Sequence, residues 1–528
     1  MNLIHDPWIP VRRRDAGIVR IAPWQITEAN GEEYTELAAP RPDFNGALIQ
    51  FLIGLLQTAC PPKHVGKWRE WIKKPPSPEE LRKSFDLFAE FFELDGNGPR
   101  FMQDLTLKVN KLEPEGVGTL FMETPGGNTL KKNTDHFIKR GQVVKRLCAS
   151  CSAMALWTLQ TNAPAGGQGH RTGLRGGGPF TSVIMASTLW ATCWSNVLEE
   201  NDFLSRGGNA KKKSKADIFP WLEKTRTSER NQKTTPDDVH PLHQFWAMPR
   251  RIRIMLEKKS GRCDLCLAII DLLCESFFTK NHGFNYNGAW GHPLTPYSGK
   301  KDEDFLLPYH LHRNIGYHHW LGVVQSHSDN RIIFQPARVV KRFKDAMDGK
   351  DGGFRLWVFG YDMDNMKTRC WRESEMPVIN AENVLRPRYE HYCEMLVASA
   401  DEIAKQLKDA VLSALFSKVA IKKMEKSDRK TKVMELTDRF WGMTEQSFYE
   451  KLSRVREALE KDRDMLVVLE SWRLVLAKVA EKIFDEISQN GSFEVVEPGR
   501  VARAWDKLRW DCKGKRIRQI LGLPIEPA

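Results

Sequence analysis

Four cysteines stand in two C-x-x-C pairs, Cys148/Cys151 in RLCASC and Cys263/Cys266 in GRCDLC. A two-residue gap lets both sulfurs of a pair curl toward one ion, and four soft thiolates satisfy tetrahedral zinc. The pairs therefore predict one structural zinc site. With four protein ligands there is no open position for a substrate, so the site supports the fold and does no chemistry. The flanking Arg146 and Arg262 would favour the thiolate forms by opposing their charge. A redox dithiol and two unrelated pairs are the alternatives, because the 111 residues between the pairs exceed the spacing of a compact zinc ribbon. Closing so long a loop adds only about 0.6 kcal/mol per doubling of length.

Twelve residues after the first pair begins APAGGQGHRTGLRGGGP, Ala163 to Pro179, with seven glycines. So much glycine permits close approach of backbone to a DNA minor groove or to phosphates, with His170, Arg171 and Arg175 as positive or hydrogen-bonding groups. A flexible loop with no ligand is the plain alternative. The run is neither G-x-x-x-x-G-K-[ST] nor a G-x-G-x-x-G fingerprint between strand and helix, so nucleotide hydrolysis has no support.

Histidine offers a weaker chemistry. Asp135-His136, His5-Asp6 and the group His310, His312, His318 and His319 could build a metal-dependent nuclease, but no H-E-x-x-H or EF-hand pattern accompanies them. Histidines beside aromatic residues, as in GYHHW, more often pack in a core than bind metal.

These residues sit on a chain of 528 residues, which favours two to four domains that fold without disulfides. The formal charge of +13 predicts a positive surface field attractive to phosphates. Ala210 to Arg262 carries fourteen Lys or Arg against six Asp or Glu, and Arg500 to Arg518 eight against two. Either could follow a phosphate backbone or be a solvated surface. No apolar run of about 18 residues and no lipidation motif occurs, so no membrane partner is expected. The N-terminal MNLIHDPWIPVRRR lacks a secretory h-region, which predicts a cytoplasmic, reducing location where cysteines hold metal and not disulfides. Cys60, Cys193, Cys274, Cys370, Cys393 and Cys512 are expected to be buried thiols.

The elements that must position the cysteines and the glycine run predict an α+β fold: a large mixed α/β domain over 1–375 carrying the zinc site, then a C-terminal four-helix bundle over 376–528. The first region has β-rich runs at Arg331 to Phe334 and Phe354 to Phe359 and a helix from Gly46 to Thr58. A short linker is expected near Pro377 to Pro387. Beyond it Leu396, Ala400, Ile403, Leu407, Ala410 and Ala414 form one helical stripe, and Leu469, Trp472, Leu476, Val479 and Ile483 a second. Phe440 to Leu459 and Val501 to Leu521 complete four helices.

NLIHDPWIPV, the cysteine pairs, LRGGGP, WGHPLTP and GYDMDNMK together resemble the large-subunit (CasA) family of the type I-E CRISPR Cascade complex over nearly the whole chain. The resemblance implies a non-enzymatic subunit that reads a protospacer-adjacent motif on duplex DNA, mainly from the minor groove. It then helps open the duplex for guide RNA and helps recruit a helicase-nuclease. Delegating sequence reading to RNA leaves such a protein only shape, charge and a short motif to recognise. Target DNA, CRISPR RNA, other Cascade subunits and the helicase-nuclease are the implied partners.

By position the resemblance implies a DNA-contacting glycine loop at Ala165, Gly166, Gly167, Gln168 and Gly169, with Ala165 and Gln168 where the family can show glycine. It maps a minor-groove lysine to Lys280, with Asn281 the strictly aligned residue. A phosphate-holding pair maps to Lys300 and Lys301. A strand-separating wedge maps to Asp364, Asn365 and Met366, with Asn365 replacing a family glutamine. A loop that touches guide RNA or a neighbouring subunit maps to Asn133, Phe137 and Lys139.

Overall fold

The computed structural model describes residues 1–27, 33–124, 144–302, 306–310, 314–328, 331–350, 353–364, 367–423, 426–489 and 497–525. It is a mixed α+β chain with several small sheets. It divides into two compact units. The first comprises Met1–Arg313, Ser328–Ala346 and Gly353–Glu375; the second comprises Asn314–His327, Met347–Gly352 and Met376–Ala528.

The first unit is organised around the Pro42–Ala59 helix. Pro42 stands in its first turn, where a missing N–H costs nothing, and so the helix begins before the apolar pattern at Gly46. Nearly every residue from Asp43 to Gln57 is buried, as a helix apolar on all sides requires. Its Phe51 is ringed edge-on by Trp8 at 5.3 Å, Phe101 and Trp246 at 5.8 Å, and Phe92 and Trp157 at 6.0 Å. Edge-to-face contacts of this kind set ring positions as well as burying area.

Packed on this core is the Ala149–Asn162 helix, and beside it a long antiparallel hairpin, Arg251–Arg262 with Ile269–Lys280. Arg251 lies opposite Lys280 at the open end and Arg262 opposite Ile269 at the turn end. The short strand Leu147–Cys148 pairs with the same hairpin, placing Cys148 opposite Leu273. A second sheet orders Lys367–Pro377, Arg355–Asp364 and Thr181–Met185 side by side. The β-rich runs are thus found as Arg355–Asp364 and Ile332–Gln335.

In the second unit the Arg386–Leu415, Lys426–Glu460, Met465–Gln489 and Pro498–Lys513 helices pack on one another. All six residues of the first stripe are buried. The second stripe is buried except at Val479, which is half-exposed. Trp472 donates its indole N–H to the Leu396 carbonyl at 3.0 Å, which pins two helices together. The helix expected from Val501 to Leu521 is broken at Gly514, and Lys515–Ile520 forms a separate short helix. Tyr317, from the inserted Asn314–His327 segment, stacks on Phe448 at 4.3 Å and bonds Thr444 at 2.7 Å. Val378, Ile379, Asn380 and Ala381, in the expected linker, are buried.

Removing Phe51 empties the middle of five ring contacts. Phe51→Ala should cost about 3–5 kcal/mol, the range for truncating a buried Phe. Chemical denaturation of the full chain followed by tryptophan fluorescence measures it; a change below about 1 kcal/mol would show that the cluster collapses onto the gap.

Candidate nucleic-acid interface and its cysteine anchor

The two cysteine pairs meet. Their four sulfurs lie within 4.8 Å of one another, with Cys148 Sγ 3.7 Å from Cys266 Sγ. Cys148 caps the Ala149–Asn162 helix, its sulfur accepting from the Cys151 N–H at 3.3 Å. In the second knuckle the Cys263 N–H donates to the Ala268 carbonyl and the Leu267 N–H to the Cys263 carbonyl, a tight turn that takes Leu267 to φ +63°. Asp264 ties one knuckle to the other. Its carboxylate accepts from the Lys145 and Arg146 N–H groups at 2.8 Å each, and its own N–H donates to the Arg146 carbonyl.

Crowding four thiols perturbs them strongly. A hydrogen bond from Cys151 pulls the Cys266 thiol down to about 6, and hydrogen bonds from Cys148 and Cys151 pull Cys263 down as well. Cys151 is pushed up by the hydrogen bonds it gives to those neighbours and by burial. A cation held at this point would bind the four sulfurs as thiolates. The expected role of the basic flanks is corrected: Arg262 bonds the Leu267 carbonyl at 3.3 Å and Arg146 pairs with Asp264 at 3.7 Å. The cation facing the sulfurs is Arg20. Against burial, the charges of Cys148 and Cys266 hold its pKa above the ordinary value. No local motif marks Arg20, which lies far from either pair in sequence.

From this cluster a helix and a strand run toward the glycine loop. The Ala149–Asn162 helix spans 14 residues, a rise of about 21 Å. Between Leu273, opposite Cys148, and Lys280 the strand advances seven residues, about 23 Å. Their far ends bond directly. The Asn281 side-chain amide donates to the Gln168 carbonyl at 2.8 Å, and the His282 N–H donates to the Gly169 carbonyl at 2.8 Å. One turn before, the buried amide of Gln160 accepts from the Arg250 N–H at 2.9 Å and donates to the Arg250 carbonyl at 3.0 Å. The carboxylate of Asp104 accepts from Arg251 Nε at 2.6 Å. Although burial opposes it, hydrogen bonds from Arg251 and Thr106 hold that carboxyl below its ordinary range.

The structure thus brings Ala165 to Gly169 together with Lys280 and Asn281. Gly166, Gly167 and Gln168 are exposed at the tip. Gly169 has to be glycine: φ is +77°, and a Cβ there would stand 2.7 Å from the His282 ring. Lys280 pairs with Glu229 at 3.3 Å, both half-exposed. His170 meets Arg250 at 2.6 Å, and burial with that positive neighbour pushes its pKa down. The end of the glycine run adjoins the Arg355–Asp364 strand, where a Cβ at Gly178 would meet Met363 at 2.8 Å and the Tyr361 carbonyl at 2.9 Å. Asp364 closes that strand, and the next strand starts at Lys367. Asn365 and Met366 lie outside the described residues, as do Asn133, Phe137 and Lys139. Lys300 and Lys301 are exposed at the end of the Tyr297–Lys300 strand.

Arg175 is corrected from a surface cation to a core strut. It is 4% exposed and bonds Thr295 at 2.9 Å, Thr181 at 3.1 Å and the Gln50 side-chain oxygen. Arg171 donates to Ser228 Oγ at 2.8 Å. Cys60 and Cys370 are half-buried, unlike the other four lone cysteines. Among the described residues the histidines join no converging group of metal ligands. His310 belongs to the first unit, while His318 and His319 belong to the second, where burial pushes His318 down to about 4 beside Trp441; His136 and His312 lie outside the described residues. Among the described residues the four cysteines are the one converging group of three or more His, Cys, Asp or Glu ligands. No helix among the described residues is long and apolar enough to cross a membrane.

Fold and site together define a two-unit α+β protein whose glycine loop is braced from a four-cysteine cluster. A family model for CRISPR-associated protein Cse1 matches residues 2–483, so the chain belongs to that family, in agreement with the CasA resemblance. Among solved structures it is similar to Thermus thermophilus CasA (Cse1), at 16% identity and TM-score 0.69 with 99% of each chain covered. It is similar to Cse1 from Acidimicrobium ferrooxidans, at 17% identity and TM-score 0.66, covering 99% of this chain and 98% of that one. A third match is a chain of a CRISPR RNA-guided surveillance complex, at 15% identity and TM-score 0.68, covering 97% of this chain and 99% of that one.

The Asp264 bridge is testable without touching a sulfur. Asp264→Ala should cost about 1–3 kcal/mol by leaving the Lys145 and Arg146 N–H groups unpaired. Thermal denaturation with and without a chelator checks it, and the variant should lose any bound metal to chelator faster than the parent chain.

Proposed function

We propose that this chain is the large, non-catalytic subunit of a cytoplasmic type I-E CRISPR RNA-guided surveillance complex. In this reading it recognises the protospacer-adjacent motif in double-stranded DNA, helps open the target for guide pairing and helps recruit the helicase-nuclease. The observation that carries it is the pair of hydrogen bonds from Asn281 and His282 to the Gln168 and Gly169 carbonyls. It holds an exposed glycine backbone beside Lys280 on a rigid scaffold, in a member of the Cse1 family. A backbone edge and one lysine suit a narrow groove that offers acceptors and no side-chain room.

The roles divide accordingly. Ala165 to Gly169, Lys280 and Asn281 read the groove; Lys300 and Lys301 hold phosphates; Asp364, Asn365 and Met366 pry the first base pair. Asn133, Phe137 and Lys139 meet guide RNA or a neighbouring subunit. The C-terminal helices are read as the family's four-helix bundle. Zinc fits the cysteines: four bonds of about 2.3 Å require sulfurs about 3.8 Å apart, Cys148 and Cys266 stand at 3.7 Å, and all four sulfurs lie within 4.8 Å of one another. Bound there, zinc would hold the two knuckles together, with Arg20 offsetting the excess negative charge. Elemental analysis of the purified chain tests its identity.

Lys280→Ala should reduce discrimination between correct and incorrect motifs, by about 1–3 kcal/mol if the lysine reads a base edge. Lys300→Ala with Lys301→Ala should instead weaken all duplexes alike and flatten the salt slope by about 0.9 per lost phosphate contact. Gel-shift titrations of the assembled complex at several salt concentrations separate the two. Equal losses on both motifs for Lys280→Ala would remove it from the reading role, and a salt-independent affinity would favour a zinc-stabilised protein adaptor.

The double variant Asn365→Ala, Met366→Ala should bind duplex normally yet open it poorly, because a wedge acts after docking. Permanganate reactivity of thymines next to the motif is the readout. Unchanged opening would end the wedge assignment.

A further inference from the structure

Between the glycine run and the Tyr297–Lys300 strand, within the first unit, lies a cleft of about 680 Å³. That is inside the range of roughly 300–1,000 Å³ typical of small-ligand sites. Two of its lining groups lack the partner their burial calls for. Trp290 is 4% exposed, and its indole N–H finds no acceptor among the described residues. Arg175 is equally buried; its donors reach only the neutral oxygens of Gln50, Thr181 and Thr295, and no carboxylate among the described residues pairs with it. A buried donor without an acceptor and a buried cation without an anion are both costly, and an electron-rich ligand in the cleft relieves the first.

The rest of the lining narrows the ligand. Tyr297, Tyr309 and Phe334 give the cleft aromatic walls, with Tyr309 and Phe334 set 5.5 Å apart at 58°. Lys300 is exposed on the lining, and among the described residues no Asp or Glu lines the cleft. Gly176 lets the backbone pass His310, whose ring would lie 2.7 Å from a Cβ at that position. Aromatic walls take a planar ring, an unpaired buried N–H donor takes a carbonyl edge, and an exposed ammonium takes a phosphate. We propose that this cleft holds a single unstacked nucleotide, with its base among the aromatic walls, its carbonyl edge on Trp290 and its phosphate on Lys300. The proposal rests on the DNA-handling reading only for the source of that nucleotide, a strand freed near the motif.

The test uses the full chain. Equilibrium dialysis with dTMP, thymidine and inorganic phosphate should show dTMP bound most tightly, and Trp290→Phe should weaken it about tenfold, the worth of one lost hydrogen bond. A motif-bearing duplex with a short unpaired thymine flap, carrying 5-iodouracil at successive positions, should crosslink to Trp290 or Tyr309 from one position. An abasic residue at that position should abolish the gain in affinity from the flap; this arm needs no protein variant, so it holds even where Trp290→Phe fails to fold. Binding of dTMP without a flap crosslink identifies a free mononucleotide as the source. Phosphate competing as well as dTMP, or neither dTMP nor flap engaging while the duplex still binds, overturns the proposal and leaves the DNA reading intact. Binding of dTMP by a chain that binds no duplex keeps the cleft and overturns the DNA reading.

Discussion

A helix and a strand that leave the same cysteine cluster must cover equal distances before their far ends can bond to one another. A helix advances about 1.5 Å per residue and a strand about 3.3 Å, so 14 helical residues match seven extended ones. The Ala149–Asn162 helix and the Leu273–Lys280 part of the strand satisfy that equality. The bonds at the far end, Asn281 to Gln168 and His282 to Gly169, are each of ordinary strength. They hold position because the scaffold delivers both partners in register, and because Gln160 and the Asp104–Arg251 pair clamp the last turn. An exposed glycine loop would otherwise bear the full entropy cost of being ordered.

The positive charge of the chain is distributed less simply than its total suggests. Arg175, Arg250 and Arg251 come from basic or glycine-rich segments, yet each bonds internal oxygens: Gln50 for Arg175, Pro164 for Arg250, Asp104 for Arg251. Lys280 itself leans on Glu229. A DNA phosphate would have to compete with that carboxylate. The proposed groove reading depends on a few placed donors more than on net charge, which supplies attraction but no register.

Much of the molecule was legible along the chain because it depends on short-range spacing. The two C-x-x-C pairs announced their knuckles. The four-three recurrence of Leu396 to Ala414 announced a buried helical face, and the glycine run announced exposed backbone open to close approach, as at Gly166 and Gly167. Each is decided within a few residues by covalent geometry and helical period.

Tertiary structure alone decided which distant groups meet. Arg20, and not the flanking arginines, faces the sulfurs; Arg175 turns inward; Tyr317 joins the helical unit; Trp290 and Tyr309 come to share one cleft. These outcomes depend on how sheets and helices pack across separations of up to more than a hundred residues. At such separations, periodicity carries no information about which side chain ends beside which. The sequence by itself determined the local elements and the cysteine pairs, since both follow from neighbouring residues. Burial, which sets the partner of every cation and the walls of the cleft, exists only once the chain has packed.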